Sequence, residues 1–206
     1  MIDVALVVGH NRERRGAYSP AVAEHEWEWN QRFAHEIVGR LHGFVPMIRA
    51  AVFERVDVGN YTVEMSTLVS AVNASNARLV VSLHFNALDG AHTGAAALHY
   101  PGSARGKAAA TALATACSRC LSSRDIGAHA QARSWSAVGY DAAGKAYPAG
   151  SELYVLTQTK SAAVILEPFF GDHAGDATAA TQARNDGRLP DAIARALRNL
   201  IVRGTI

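Results

Sequence analysis

The chain has 206 residues, 49% of them apolar and 18% charged, with a formal net charge of +2 and two cysteines. That apolar share supports a globular core and excludes a disordered chain, and the length suits one domain spanning residues 1–206 without tandem modules. No apolar run approaches the roughly 18–20 residues of a membrane span, so slight a cationic excess makes no case for a nucleic-acid binder, and two cysteines build neither a disulfide framework nor a four-thiolate zinc site.

The N-terminus lacks a basic region and a small-residue cleavage site, and its apolar run Val4–Val8 ends at Gly9-His10. It therefore reads as a core strand and not as a signal peptide, with synthesis and initial retention in a cytoplasm expected. A polar loop bearing Arg12, Arg14 and Arg15 follows. Residues 22–41 have helical spacing, with Glu26, Asn30, Phe33 and Ile37 on a shared face and Gly43 beyond them as a stop. A short strand is expected at 45–49 and a helix at 60–77, with Met65, Leu68 and Val72 as its apolar stripe. Leu79–Leu83 is the clearest strand and delivers His84-Phe85-Asn86 at its end. Further strands are expected at 94–100, 154–157 and 163–166, and helices at 106–121 and 191–202. The stretch 133–151 is aromatic and Gly-rich with turn chemistry at Asp141-Ala-Ala-Gly-Lys, which predicts an inserted hairpin or flap. The alternation of β-branched runs with Ala-rich segments gives the fold class: α/β, a mostly parallel twisted sheet flanked by helices.

Three titratable residues stand at strand ends: His10, His84 and Glu167. In open α/β sheets the crevice outside the carboxyl ends of parallel strands is where sites form, so these three are expected to meet. The start of the first helix adds a carboxylate from Glu24, Glu26 or Glu28, which spacing alone does not separate. Two imidazoles and a carboxylate are a frequent shell for catalytic zinc, leaving one position for a water whose pKa falls to roughly 7. A further carboxylate must then take and return the proton. Glu167 suits that task, because it directly follows Ala-Val-Ile-Leu and precedes Pro-Phe-Phe, apolar company that an idle carboxylate would not favour. Cys117 and Cys120 lie inside an Ala-rich helix without a second ligand pair and read as ordinary buried or half-buried thiols.

The ordered set of these pieces resembles the zinc-dependent N-acetylmuramoyl-L-alanine amidases of the amidase-3 type, found in bacterial autolysins and phage endolysins. The resemblance runs through Gly9-His10 with Gly16-Ala17, Glu26 four residues before Asn30, and Arg49 after the expected second strand. It continues through Ser-Leu-His84-Phe-Asn86-Ala87, Gly94 to Tyr100, and Ala-Val-Ile-Leu-Glu167-x-x-Phe170. It departs from the family at Asn11-Arg-Glu-Arg-Arg, where a Gly-rich turn is usual, at Pro168, and in the length of 133–151. The resemblance implies one zinc ion per chain on His10, Glu26 and His84, with Glu167 as catalytic base and then acid. It further implies peptidoglycan as substrate, cut between N-acetylmuramic acid and the L-alanine of the stem peptide. Arg12, Arg14, Arg15 and Asn86 are candidate substrate contacts. A monomer that inserts into no membrane is expected, acting on the wall after release as a phage lysis protein would. The alternatives are another zinc peptidase of carboxypeptidase-like action and a non-catalytic wall-binding module.

Overall fold

The fold, obtained as a computed structural model, is described over residues 1–121, 129–132 and 154–206. The chain begins with β1 (Val4–Val8), whose five residues are all buried. A two-stranded hairpin, β2 (Tyr18–Ser19) and β3 (Glu24–His25), leads into α1 (Glu26–His42). Then come β4 (Ala50–Phe53), α2 (Tyr61–Ala74), β5 (Leu79–Leu83), β6 (Ala96–His99) and α3 (Ala104–Leu121). After β7 (His129–Ala132) follow α4 (Tyr154–Gln158), β8 (Ala162–Glu167), α5 (Ala174–Asn185) and α6 (Arg188–Val202).

Six strands form one sheet in the order β4-β1-β5-β8-β6-β7. The first four run parallel, β6 is antiparallel to β8, and β7 is parallel to β6. The register aligns Val8 with Leu83 and Leu83 with Leu166. His10, His84 and Glu167 therefore leave three neighbouring strands at the same edge, as the sequence predicts.

Side-chain alternation along β1 divides the core into two layers. Val4, Leu6 and Val8 pack with Phe33 and Ile37 of α1 and with Leu113, Ile193 and Leu197 of α3 and α6. Ala5 and Val7 face the other way, onto Met65, Leu68 and Val72 of α2 and Val155 and Leu156 of α4. Cys117 is buried in the first layer and Cys120 packs against it, both as free thiols. Burial raises both thiols above the usual range, which suits apolar filler and not nucleophiles. No helix among the described residues is long and apolar enough to cross a membrane.

Under the carboxyl edge sits an aromatic cluster. Phe169 meets Trp29 edge-on and Phe85 at a tilt, each at 5.2 Å between ring centroids. The three rings belong to the segments that begin with Glu26, His84 and Glu167, so these two buried contacts fix the three relative to one another. Gly171 makes room for it: a Cβ there would fall 2.4 Å from the Phe85 ring. The loops above are laced together as well, by Asn86 N–H to Phe169 O at 2.9 Å and Gly171 N–H to Asn86 O at 2.7 Å.

Four expectations need correction. The second strand is 50–53 and not 45–49: Val45 and Met47 are exposed, and pairing with β1 selects the Ala-Ala-Val-Phe run despite its modest β propensity. Arg49 consequently precedes that strand, at the opposite sheet edge from His10, where it pairs with Asp3. Residues 154–157, β-like in composition, form the short helix α4 because Val155 and Leu156 have the α2 layer to pack against. Residues 22–25 belong to the turn and strand before α1, which starts at Glu26. The helix α5 is an addition, opened by the His173 ring accepting from Asp176 N–H. Segment 133–151, expected to form a flap, lies outside the described residues.

At the amino edge, buried Asp3 accepts from the Arg49 backbone N–H at 3.0 Å and from its guanidinium at 3.1 Å. Burial pushes the Asp3 carboxyl up, but the Arg49 hydrogen bonds and charge outweigh it and hold the group below the ordinary aspartate value. A depressed carboxyl contributes stability above its unfolded pKa and loses it as pH falls through the folded one. Asp3→Asn should therefore cost about 1 kcal/mol at pH 7, discounted for the half-exposed arginine. In urea melts the gap to the parent should narrow as pH falls below the ordinary aspartate range; a gap that stays constant through that range would contradict the assignment.

Candidate metal centre

Glu26 is the first residue of α1 and is buried. Its position follows from the loop before it. The N–H groups of Glu26 and Trp27, which a helix start leaves without partners, donate to the carbonyls of Ala17 and Arg15 at 2.9 Å each. In return Glu26 Oε2 accepts from Ala17 N–H at 3.3 Å, and Oε1 accepts from Phe85 N–H at 3.2 Å. The carboxylate also lies at the positive end of the helix dipole. Of the three glutamates that the sequence leaves in competition, Glu26 alone faces the two histidines. Glu24 pairs with Arg32, and Glu28 with Arg15 at 2.7 Å.

His10 Nε2 stands 3.1 Å from Glu26 Oε2, and His84 Nδ1 stands 2.8 Å from Glu26 Oε1. One ligand atom from each of the three residues lies within 4.8 Å of the others, a group able to hold a metal ion. The second nitrogen of His84, Nε2, meets Ser82 Oγ at 3.2 Å. A proton on Nε2 shared with that hydroxyl leaves the Nδ1 lone pair for the centre, the outer-shell arrangement that fixes a ligating imidazole. His10 takes a left-handed backbone conformation with φ of 65°, which costs a residue with a Cβ roughly 1–2 kcal/mol.

Two glycines make the hollow. A Cβ on Gly16 would lie 2.7 Å from Glu26 Oε2 and 2.8 Å from His10 Nε2, and one on Gly9 would lie 2.8 Å from His84 Nδ1. The cradle is thus kept open at the donor atoms themselves. The charge balance agrees. Burial alone would raise the Glu26 carboxyl, but the charge of His10 and hydrogen bonds from both imidazoles hold it well below the usual carboxylate range. Burial lowers His84, and its bond to Glu26, with the nearby charges of Glu26 and Glu167, raises it overall. The residues present therefore fit a small cation with nitrogen and carboxylate preferences.

Glu167 closes β8 at the same crevice, half-buried, with Pro168 and Phe169 buried behind it. Asn86 is half-buried in the loop after His84, and its Oδ1 accepts from Ala87 N–H. The three loop arginines separate: Arg15 is tied to Glu28, and Arg14 lies 3.7 Å from both Asp57 and Glu64. Arg12 is exposed and makes no ion pair among the described residues. Two residues beside the site escape a reading of the sequence: Glu64, buried on α2, and Arg55, just beyond β4. Their only signals are a glutamate one turn before Leu68 on an apolar stripe and an arginine at a strand end.

A family model described as N-acetylmuramoyl-L-alanine amidase matches residues 4–199. The chain belongs to that amidase family. Solved structures of the same fold include the catalytic domain of the CD27L endolysin targeting Clostridia difficile, at 19% identity and a TM-score of 0.70, covering 98% of each chain. The catalytic domain of the amidase CwlV from Bacillus (Paenibacillus) polymyxa aligns at 18% identity and 0.68, with 100% of each chain covered. The amidase AmiC2 of Nostoc punctiforme aligns at 16% and 0.72, again with 98% of each covered. None of the curated proteins matches the chain.

Gly16 offers a sharp check on the cradle. Its φ of 78° and the 2.7 Å approach to Glu26 mean that Gly16→Ala meets both backbone strain and a clash. The strain of roughly 1–2 kcal/mol should lower the melting temperature by about 2–8 °C in a chain of this size. Metal titration of the folded variant should show weakened binding. Parent-like metal affinity would contradict the cradle.

Proposed function

We propose that this amidase is a zinc-dependent peptidoglycan hydrolase that cuts the amide between the lactyl group of N-acetylmuramic acid and L-alanine of the stem peptide. The observation that carries the reading is the convergence of His10, Glu26 and His84 on one hollow with Glu167 at its rim. His10 Nε2, a Glu26 carboxylate oxygen and His84 Nδ1 would hold the zinc. Bound there, zinc supplies a Lewis acid that polarises a carbonyl and makes water nucleophilic at neutral pH.

The chain's own residues supply the rest. The Glu167 carboxylate takes the proton of the attacking water and returns it to the leaving L-alanine nitrogen, so that the amine departs neutral. Glu167 ends β8 with Pro168 and Phe169 buried behind it. Ser82 Oγ, 3.2 Å from His84 Nε2, would accept the proton of that nitrogen once Nδ1 binds zinc. Arg12, unlike Arg14 and Arg15, is uncommitted among the described residues and is offered to a stem-peptide carboxylate. Likeness to an endolysin catalytic domain supports a role in wall lysis of the phage type.

Digestion of purified sacculi tests this reading. New N-terminal L-alanine on free stem peptides is expected by mass spectrometry, whereas released C-terminal residues would mark a carboxypeptidase. Glu167→Gln should lower kcat by about 10²–10⁴-fold while zinc remains near one per chain by elemental analysis. A chelator should abolish turnover and added zinc restore it. Unchanged turnover in Glu167→Gln would remove Glu167 from the mechanism.

A further inference from the structure

Beside the metal centre lies a second buried polar group that no step of the reaction uses. Glu64, on the first turn of α2, has a fully buried side chain. Its Oε2 accepts from Asn11 Nδ2 at 3.1 Å, and its Oε1 accepts from Val58 N–H at 3.2 Å. Arg55 Nε approaches Oε2 at 3.5 Å and Arg14 approaches Oε1 at 3.7 Å. Arg55 is itself buried, with its guanidinium 5.1 Å over the Tyr61 ring.

Asn11 is the residue next to His10 and is fully buried. Its Nδ2 is spent on Glu64, its Oδ1 accepts from Arg14 N–H at 2.7 Å, and its own N–H donates to Arg14 O at 3.2 Å. The turn that carries His10 is therefore fastened through Asn11 to a helix on the far side of the sheet. His10 needs such a fastening, because its left-handed φ of 65° is a conformation the chain would leave if the next residue were free. Glu26 and His84 have other supports, from the α1 start and from Ser82.

We propose that Asn11 and Glu64 are positioning residues, which hold the His10 imidazole in place for the metal through one buried hydrogen bond. The inference rests on the zinc reading above and adds two residues to it. Neither touches substrate or metal; both act through His10. Outer-shell partners of this kind typically set metal affinity by about 10–100-fold.

The test exploits the direction of the bond. Asn11→Asp places two carboxylates in contact and should weaken zinc binding by about 10–100-fold, as should Asn11→Ala. Combining Asn11→Asp with Glu64→Gln reverses donor and acceptor, keeps the charge of the cluster, and should restore parent affinity. Zinc affinity would be read by competition with a chromogenic chelator, below each variant's melting temperature, with circular dichroism to establish folding. Parent-like affinity in both single variants at position 11, or a double variant no better than Asn11→Asp, overturns the proposal. If Asn11→Asp alone does not fold, a folded double variant with parent zinc affinity sustains it, and a folded one with weakened affinity overturns it. His10→Ala separates the two levels of the argument. If it binds zinc as tightly as the parent, the zinc assignment fails and not merely the positioning role.

Discussion

The structure depends on one buried carboxylate held between two imidazoles. Glu26 sits out of water, where a lone charge would be costly, and is tolerated because His10, His84 and two backbone N–H groups converge on it. That convergence needs β1 and β5 side by side and in register, α1 beginning at Glu26 and no later, and a loop between them that folds back to close the helix start. Hydrophobic burial on both faces of the sheet supplies the first condition. The carbonyls of Arg15 and Ala17 supply the second and third.

The same arrangement explains why small residues are found where they are. Gly9 and Gly16 stand against the donor atoms, and Gly171 stands against the ring that braces His84 from below. Each marks a place where a side chain would enter space that the centre or its support requires. The aromatic cluster of Trp29, Phe85 and Phe169 then makes the site rigid from beneath, one ring for each of the three segments that bring Glu26, His84 and Glu167. Stability and function share these contacts, so the site is held by the strand ends and the helix start that carry it.

Much of this was legible in the chain itself. Val4–Val8, Leu79–Leu83 and the run ending at Glu167 are apolar and β-branched, and such runs declare both their type and their ends. The resemblance to the amidases chose Glu26 from three candidates, and the structure gives the reason: only Glu26 occupies the first helical position facing the histidines. What was not legible depended on partners remote in sequence. Ala50–Phe53 becomes a strand through pairing with β1, and 154–158 becomes helical through the layer it completes. The departure at Asn11, a polar residue in place of a glycine-rich turn, acquires meaning only when Glu64 is found 53 positions away.

The central claim is that His10, Glu26 and His84 are jointly the ligands of a single zinc ion. Anomalous diffraction from zinc-loaded crystals, recorded on either side of the zinc absorption edge, tests it most directly. One peak per chain is predicted, about 2.0–2.2 Å from an imidazole nitrogen of each histidine and from a Glu26 oxygen. A peak on other residues, or none between these three in zinc-loaded protein, would contradict the account.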